Sequence, residues 1–301
     1  MMHPDGLITG LMPVLMTAGL PFWDPRDFTL TFIDQIPGLG MPLAIQPFGV
    51  MVITGIVVGA RLMRRWGAAN GLDDEHARAA VVWTVVVGFT GAHLVDLFFY
   101  QPGRLAEDPL VLIRIWDGIS SYGGFIGGVA GFAYYVRKNK LDFWQYGDGG
   151  MIAFIPGFTF GRLGCTLVHD HIGAKSEGFL LAVDYPENFH RGVEGLHHNL
   201  GLYEFMYMVA LCAVLLGLDR WARRPKGLMV AVMAAGYAPV RFFLEFLRDN
   251  PEADPRYLGL TFAQWVSFGL LGAGVWLAMR LLRGDLGSEP AGSEAGAGVE
   301  K

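Results

Sequence analysis

Long apolar runs alternate with short charged connections along most of this chain. Seven runs reach or approach the roughly 20 residues that a helix needs to cross about 30 Å of hydrocarbon. They cover about 43–63, 79–100, 119–136, 148–168, 200–219, 227–246 and 259–282. The pattern predicts an all-α polytopic membrane protein with seven transmembrane helices. An earlier run, Gly6 to Leu20, is shorter, and has neither a positive flank nor a cleavage site. It reads as an interfacial helix rather than a cleaved signal peptide. Three parts follow: an outward segment over 1–40, a transmembrane domain over 41–283, and a tail over 284–301. The tail is rich in Gly, Ala, Ser and Glu and is expected to be disordered in the cytoplasm.

Charge in the connections sets the orientation. One set carries Arg61, Arg64, Arg65 and Arg78, then Arg137, Lys138 and Lys140, then Arg220, Arg223, Arg224 and Lys226, with Arg280 and Arg283 closing the last run. The opposite set holds most of the acids, including Asp24, Asp27, Asp34, Glu107, Asp108, Asp184, Glu187 and Glu194, beside Arg104, Arg114, Arg191 and Arg256. Short cytoplasmic loops are enriched in Lys and Arg, so the N-terminus is expected outside and the C-terminus inside.

Composition agrees with the pattern. The 301 residues are 52% hydrophobic and 17% charged, with 42 glycines, whereas soluble domains are about 25% charged. Cys165 and Cys212 fall in different runs and form no disulfide framework. There is no CxxC pair and no phosphate-binding GxxxxGK[ST] loop, which argues against an ATP-driven transporter subunit.

Ionisable groups inside apolar runs mark where chemistry is expected. Arg162 lies near the end of the fourth run, in Gly161-Arg162-Leu163-Gly164-Cys165-Thr166-Leu167-Val168-His169-Asp170-His171-Ile172-Gly173. A guanidinium at mid-span costs on the order of 2.5–3.5 kcal/mol, so an anion or a carboxylate should meet it. Asp148 is about 20 Å away along the same helix and cannot. In the sixth run Tyr237, Arg241, Glu245 and Arg248 share one face, and Pro239 should kink the helix. Arg241 and Glu245 could simply form an i,i+4 ion pair. Together, however, Arg162 and Arg241 suit one phosphodiester, which planar guanidinium groups grip bidentately.

Other polar groups are more ambiguous. His93 and Asp96 share a helix face, either as a polar pair joining helices or as functional groups. Ser120-Ser121-Tyr122-Gly123-Gly124 opens the third run, where glycine serves close packing or leaves room for a ligand. Segment 169–198 holds His169, His171, His190, His197 and His198. It reads as a solvated loop, as the source of a general base, or as a metal site. The HxH and HH spacings alone do not define such a site, and neither metal nor cofactor is expected.

Seven ordered motifs carry a resemblance that covers about Pro42 to Leu282. They are Pro42-Leu43-Ala44-Ile45-Gln46-Pro47-Phe48-Gly49; Gly91 to Tyr100; Gly118 to Gly124; Gly161 to Gly173; Leu202-Tyr203-Glu204; Tyr237 to Arg248; and Gly259-Leu260-Thr261-Phe262-Ala263-Gln264. In these the chain resembles a divergent prolipoprotein diacylglyceryl transferase, the bacterial enzyme that lipidates the lipobox cysteine of pre-lipoproteins. It departs from the family pattern at named places. Tyr122 stands at the motif histidine, Cys165 and Val168 at two asparagines, and Asp170 at a glutamate. Phe48 stands at a tyrosine and His93 at an arginine.

The resemblance implies transfer of diacylglyceryl from phosphatidylglycerol to a cysteine thiol in the bacterial inner (plasma) membrane. The implied partners are phosphatidylglycerol, a prolipoprotein signal peptide with its lipobox cysteine, and the bilayer, with no nucleic acid. Arg162, Arg241, Tyr237, His169 and Tyr122 are the expected catalytic residues. The phosphatidylglycerol site is expected to use Arg162, Arg241, Gly123, Gly124, Gly164, Glu245 and Arg248. Tyr122 is a poor base at an ordinary pKa near 10, so His169 is the expected relocated base, with His93 second. The competing readings are a paralogue that binds an anionic lipid or lipoprotein without transfer, and a channel or transporter lined by these charges.

Overall fold

The computed structural model describes residues 19–33, 43–114, 118–189, 192–220, 225–248 and 256–284. Seven long helices lie among them: α1 (Pro47–Ala69), α2 (Asp74–Val95), α3 (Ser121–Lys138), α4 (Phe143–Leu167), α5 (Leu200–Asp219), α6 (Leu228–Leu244) and α7 (Phe262–Leu282). Each of the seven apolar runs contains one. Six are long and apolar enough to cross a membrane; α3 is the exception. Its 18 residues would span about 27 Å, but glycine and the terminal Arg137 and Lys138 lower its hydropathy. The chain is thus a mostly helical, polytopic membrane protein.

Local chemistry sets the helix ends. Asp73 accepts from the His76 backbone N–H, which starts α2 five residues before the apolar run does. Asp142 accepts from the backbone of Trp144 and Gln145 and starts α4 in the same way. Thr261 and Gln264 form a reciprocal capping box at α7, so residues 259–261 stand outside the helix. The run predicted from 43 opens as a strand, and its helix begins only at Pro47, whose missing N–H is no loss in a first turn.

The helices pair through glycine. A Cβ on Gly91 of α2 would lie 2.6 Å from the Gly123 carbonyl of α3. One on Gly59 of α1 would lie 2.8 Å from the Ala153 carbonyl of α4. Lipid tails are as apolar as leucine, so close backbone packing has to bring membrane helices together. The pairs α2–α3, α1–α4 and α6–α7 assemble around α4, which also meets α5 and α6. Buried Ile152, Ile155, Met208, Leu211 and Met233 form the main core there, while Val82, Val86, Ile126, Val129 and Trp276 line the exposed apolar outside.

A small β cap closes the α4–α5 end. Strands β1 (Leu20–Pro21), β4 (Ile172–Lys175), β5 (Val183–Tyr185) and β6 (Gly195–Asn199) order as β1-β5-β6-β4. The remaining strands β2 (Leu30–Ile33) and β3 (Leu43–Ile45) pair antiparallel, as do β7 (Arg256–Tyr257) and β8 (Leu260–Thr261). The all-α expectation is corrected to this extent. Three short strands run through segment 169–198, which has its own core of Val183, Tyr185 and Phe189 against Phe22 and Trp23. The predicted interfacial helix lies almost wholly outside the described residues, and its last residue, Leu20, belongs to β1. His190 and the tail beyond Gly284 also lie outside them.

The α2–α3 contact makes a prediction. Gly91→Ala should destabilise the protein by about 1–3 kcal/mol through overpacking. Gly272→Ala, which meets nothing within 4 Å, should not. Thermal unfolding of the two variants in the same detergent checks this.

Candidate active site

Three helices deliver charge to one end of the bundle, and a fourth adds a tyrosine. Arg162 lies in the last turns of α4 and is 7% exposed. Its Nε stands 3.0 Å from Glu204 Oε1 on α5, an ion pair held by charge rather than by an aligned hydrogen bond. The Arg162 guanidinium also lies 4.8 Å from the Phe158 ring centroid, a cation–π contact that covers its face. Asn199 caps α5 by accepting from the Leu202 N–H. A Cβ on Gly201 would sit 3.2 Å from Thr166 N, so α5 starts tight against α4 and Glu204 faces the arginine one turn on.

Helix α6 supplies the other half. Tyr237 donates its hydroxyl hydrogen to Glu204 Oε1, the same oxygen that meets Arg162. One turn further, Arg241 meets Glu245 at 2.6 Å, and Arg248 approaches the other Glu245 oxygen at 3.5 Å. Glu245 is 2% exposed, and burial of that degree is tolerable for a carboxylate only with such partners. The Arg241 charge interacts with Glu204 as well as Glu245, and with Tyr237 and Tyr122. From the start of α3, Tyr122 faces Arg241, Glu245 and Arg248 and packs edge-on against Phe262 at 5.0 Å.

Three guanidinium groups and two carboxylates therefore share one cluster: Arg162, Arg241 and Arg248 with Glu204 and Glu245. Counted over those five side chains the charge is +1. Asp170, whose charge acts on Cys165 and His171 together with that of Arg162, borders the same cluster.

The structure brings together Arg162, Arg241, Tyr237, Tyr122, Glu245 and Arg248, and it gives the other expected residues different contacts. His169 is fully buried in the β cap. Its Nε2 faces the Trp23 carbonyl at 2.9 Å and its Nδ1 the Tyr185 hydroxyl at 3.1 Å, with Phe22 stacked on the ring. Its φ of 50° also turns the chain there. A ring so enclosed holds the cap and is not presented to a substrate, so the expectation of a base at His169 is revised. His93 is likewise engaged, with Nε2 3.0 Å from the Val111 carbonyl and Nδ1 3.3 Å from that of Gly118. Gly123 and Gly164 serve helix contacts: a Cβ at Gly164 would lie 3.1 Å from Met51 and Phe48, and one at Gly123 would strike the Gly91 carbonyl. Gly124 faces Ala92 at an ordinary 3.7 Å. Asp148, far from the cluster, accepts from the backbone N–H groups of Gly227 (2.8 Å) and Met229 (2.9 Å) at the start of α6.

Two residues escaped the sequence reading. Glu204 was visible as a carboxylate in an apolar run, but its pairing with Arg162 depends on the α4–α5 contact. His171 lies two residues after the cap histidine, yet it faces the arginines rather than the cap. Burial, then the positive field of Arg162, pushes its imidazole down to about 4, so the ring is neutral near pH 7. Cys165, one turn below, lies beside the Arg162 guanidinium.

The shared oxygen gives the cluster a measurable hierarchy. Glu204→Ala leaves the buried Arg162 without its counter-charge and should destabilise the protein by about 3–5 kcal/mol. Tyr237→Phe removes one hydrogen bond to a charged group and should cost about 1.5–3 kcal/mol. Unfolding of both single variants and of the double variant checks the order and the coupling.

Comparison with known proteins puts the cluster in context. The family model described as prolipoprotein diacylglyceryl transferase matches residues 37–280, which includes every residue of the cluster. Several curated proteins named phosphatidylglycerol–prolipoprotein diacylglyceryl transferase are similar to the chain. That of Sinorhizobium medicae is 30% identical over 286 residues, covering 87% of this chain and 94% of the relative. The one from Allorhizobium ampelinum is 28% identical over 276 residues, covering 86% and 94%. A third, from Roseobacter denitrificans, is 28% identical over 296 residues, covering 88% and 98%. A match across nearly the whole bundle, with the buried charges inside it, means that this chain belongs to the prolipoprotein diacylglyceryl transferase family.

Proposed function

We propose that the chain is a phosphatidylglycerol–prolipoprotein diacylglyceryl transferase whose buried +1 cluster is the headgroup site. The single observation that carries the reading is the set of three arginines and two carboxylates gathered at one end of the bundle. The substrate sulfur attacks the glyceryl carbon that bears the phosphate; a C–S bond forms, the C–O bond breaks, and glycerol phosphate leaves. A phosphodiester carries one negative charge, and the departing monoester gains a second. Fixed cations aimed at that oxygen therefore stabilise the transition state more than the bound lipid, which is the condition for catalysis.

Arg162 and Arg241 are the residues assigned to this charge. Glu204 and Glu245 hold the two guanidinium groups in place, and Tyr237 fixes Glu204. Tyr122, against Arg241, orients that arginine toward the lipid phosphate. Arg248 completes the charge balance at the rim. In the low dielectric of a bundle interior such pre-set groups act more strongly than in water.

The orientation that goes with this reading places the cluster and β cap outside, where a prolipoprotein presents its lipobox cysteine. The ends carrying Arg64, Arg78, Arg137, Lys138 and Lys226 then face the cytoplasm. The membrane in question is the bacterial plasma membrane, entered laterally by the lipid.

Two experiments test the proposal. Arg162→Lys and Arg241→Lys keep the charge but lose the planar fork, and each should slow transfer from phosphatidylglycerol to a lipobox peptide about 100- to 1,000-fold. The wild-type chain should rescue cells depleted of their own transferase. Failure to rescue, with phosphatidylglycerol binding intact, would favour a lipid-binding paralogue, a reading that the tyrosine at position 122 keeps in play. For orientation, a cysteine replacing Glu187 should react with an impermeant maleimide in intact cells. One replacing Lys138 should react only after permeabilisation.

A further inference from the structure

Transfer to sulfur needs a thiolate, because the thiol itself is a weak nucleophile with an ordinary pKa near 8.5. The residues described so far bind phosphate but do not generate that thiolate. Tyr122 packs on Arg241 and Phe262, and His169 and His93 are committed to structural contacts. What borders the arginines instead is a set of three different donors: Cys165, Asp170 and His171.

Their ligating atoms, one from each residue, all lie within 4.8 Å of one another. His171 Nε2 and Asp170 Oδ2 are 3.8 Å apart. A tetrahedral zinc site, with bonds of about 2.0–2.3 Å, has ligand-to-ligand edges of about 3.3–3.8 Å. The donors therefore need at most about 1.5 Å of closure around an ion. The backbone already sets up this approach. Helix α4 ends at Leu167, and the chain reverses through His169, whose φ is 50°. The Asp170 N–H donates to the Cys165 carbonyl at 3.1 Å, which folds the acid back over the cysteine. The His171 carbonyl accepts from the Leu200 N–H at 2.9 Å, which ties the histidine to the start of α5.

We propose that Cys165, Asp170 and His171 bind one zinc-like divalent ion, and that this ion activates the acceptor thiol. The catalytic half of the proposal rests on the transferase reading; the binding half does not. A thiolate and an imidazole select a borderline-soft transition metal over magnesium or calcium, which take oxygen donors. Three protein donors leave a fourth position open, the arrangement of catalytic rather than structural zinc. Charge balance also fits. The Cys165 thiolate and Asp170 carboxylate neutralise the ion, so the neighbouring cluster keeps its +1 for the lipid phosphate.

In the reaction, the lipobox thiol takes the open position and releases its proton to solvent, because a coordinated thiol is deprotonated outright. Its sulfur then attacks the glyceryl carbon, and the electron pair of the broken C–O bond leaves on glycerol phosphate. The sequence offered only HxH and HH spacings as metal signals. The set assembled by the fold instead combines Cys165 with the adjacent pair Asp170-His171.

The test uses the full chain, purified in detergent and stripped with a chelator, then titrated with Co²⁺. Binding by Cys165 should give a sulfur-to-cobalt charge-transfer band and strong tetrahedral visible absorption at one ion per chain. Zinc should displace it. Cys165→Ser and His171→Ala should each weaken binding by more than about 100-fold, with unchanged unfolding of the metal-free proteins. Cys212→Ser should retain the band. Absence of the band, or its persistence in Cys165→Ser or His171→Ala, overturns the site. If the band behaves as expected but the stripped enzyme transfers at the wild-type rate, the catalytic half is overturned. If stripped enzyme loses transfer and keeps phosphatidylglycerol binding, and zinc restores it, both halves stand. A chain that shows the cobalt band yet never transfers would refute the transferase reading and leave the metal site intact.

Discussion

One carboxylate oxygen organises the end of this protein where α4, α5 and α6 meet. Glu204 Oε1 receives both the Arg162 guanidinium and the Tyr237 hydroxyl, and its charge also reaches Arg241. Any one of those buried ions alone would be expensive, since the effective cost of desolvating a charge is several kcal/mol. Together they oblige α4, α5 and α6 to converge, because each helix carries a charge that only another can meet. Glycines at the α4–α5 contact make that convergence close enough, and the Asn199 cap sets where α5 begins. The binding site and the helix packing are thus two consequences of one electrostatic requirement.

The five side chains of the cluster sum to +1. Networks that only join helices tend to neutrality, because surplus buried charge costs stability and returns nothing. Here Glu245 meets both Arg241 and Arg248. An anionic lipid headgroup has the matching charge, and it is available from the surrounding membrane at high local concentration.

The β cap adds a second layer. Its histidine, His169, is sealed among Phe22, Trp23 and Tyr185, and the tight turn there carries Asp170 and His171 back over the end of α4. One histidine thus becomes structural so that the next but one can be displayed at the site. Neighbouring residues of one type take opposite roles because the chain reverses between them.

Much of this was legible in the sequence. Apolar runs located the seven helices to within several residues, since hydrophobic length is a local property of the chain. The i,i+4 spacing placed Tyr237, Arg241 and Glu245 on one face, and a lone arginine in an apolar run marked Arg162, because the cost of an intramembrane cation does not depend on its partner. Cap chemistry moved the helix starts away from the hydropathy edges, and the strands within segment 169–198 pair with one another, with Leu20–Pro21 added at the edge, which hydropathy does not encode. Only the tertiary structure decided which carboxylate meets Arg162, which histidine is buried, and which donors stand together. Those choices are made by contacts between residues far apart in the chain, such as Arg162 with Glu204 and His169 with Trp23, and by a left-handed turn that no hydropathy pattern encodes.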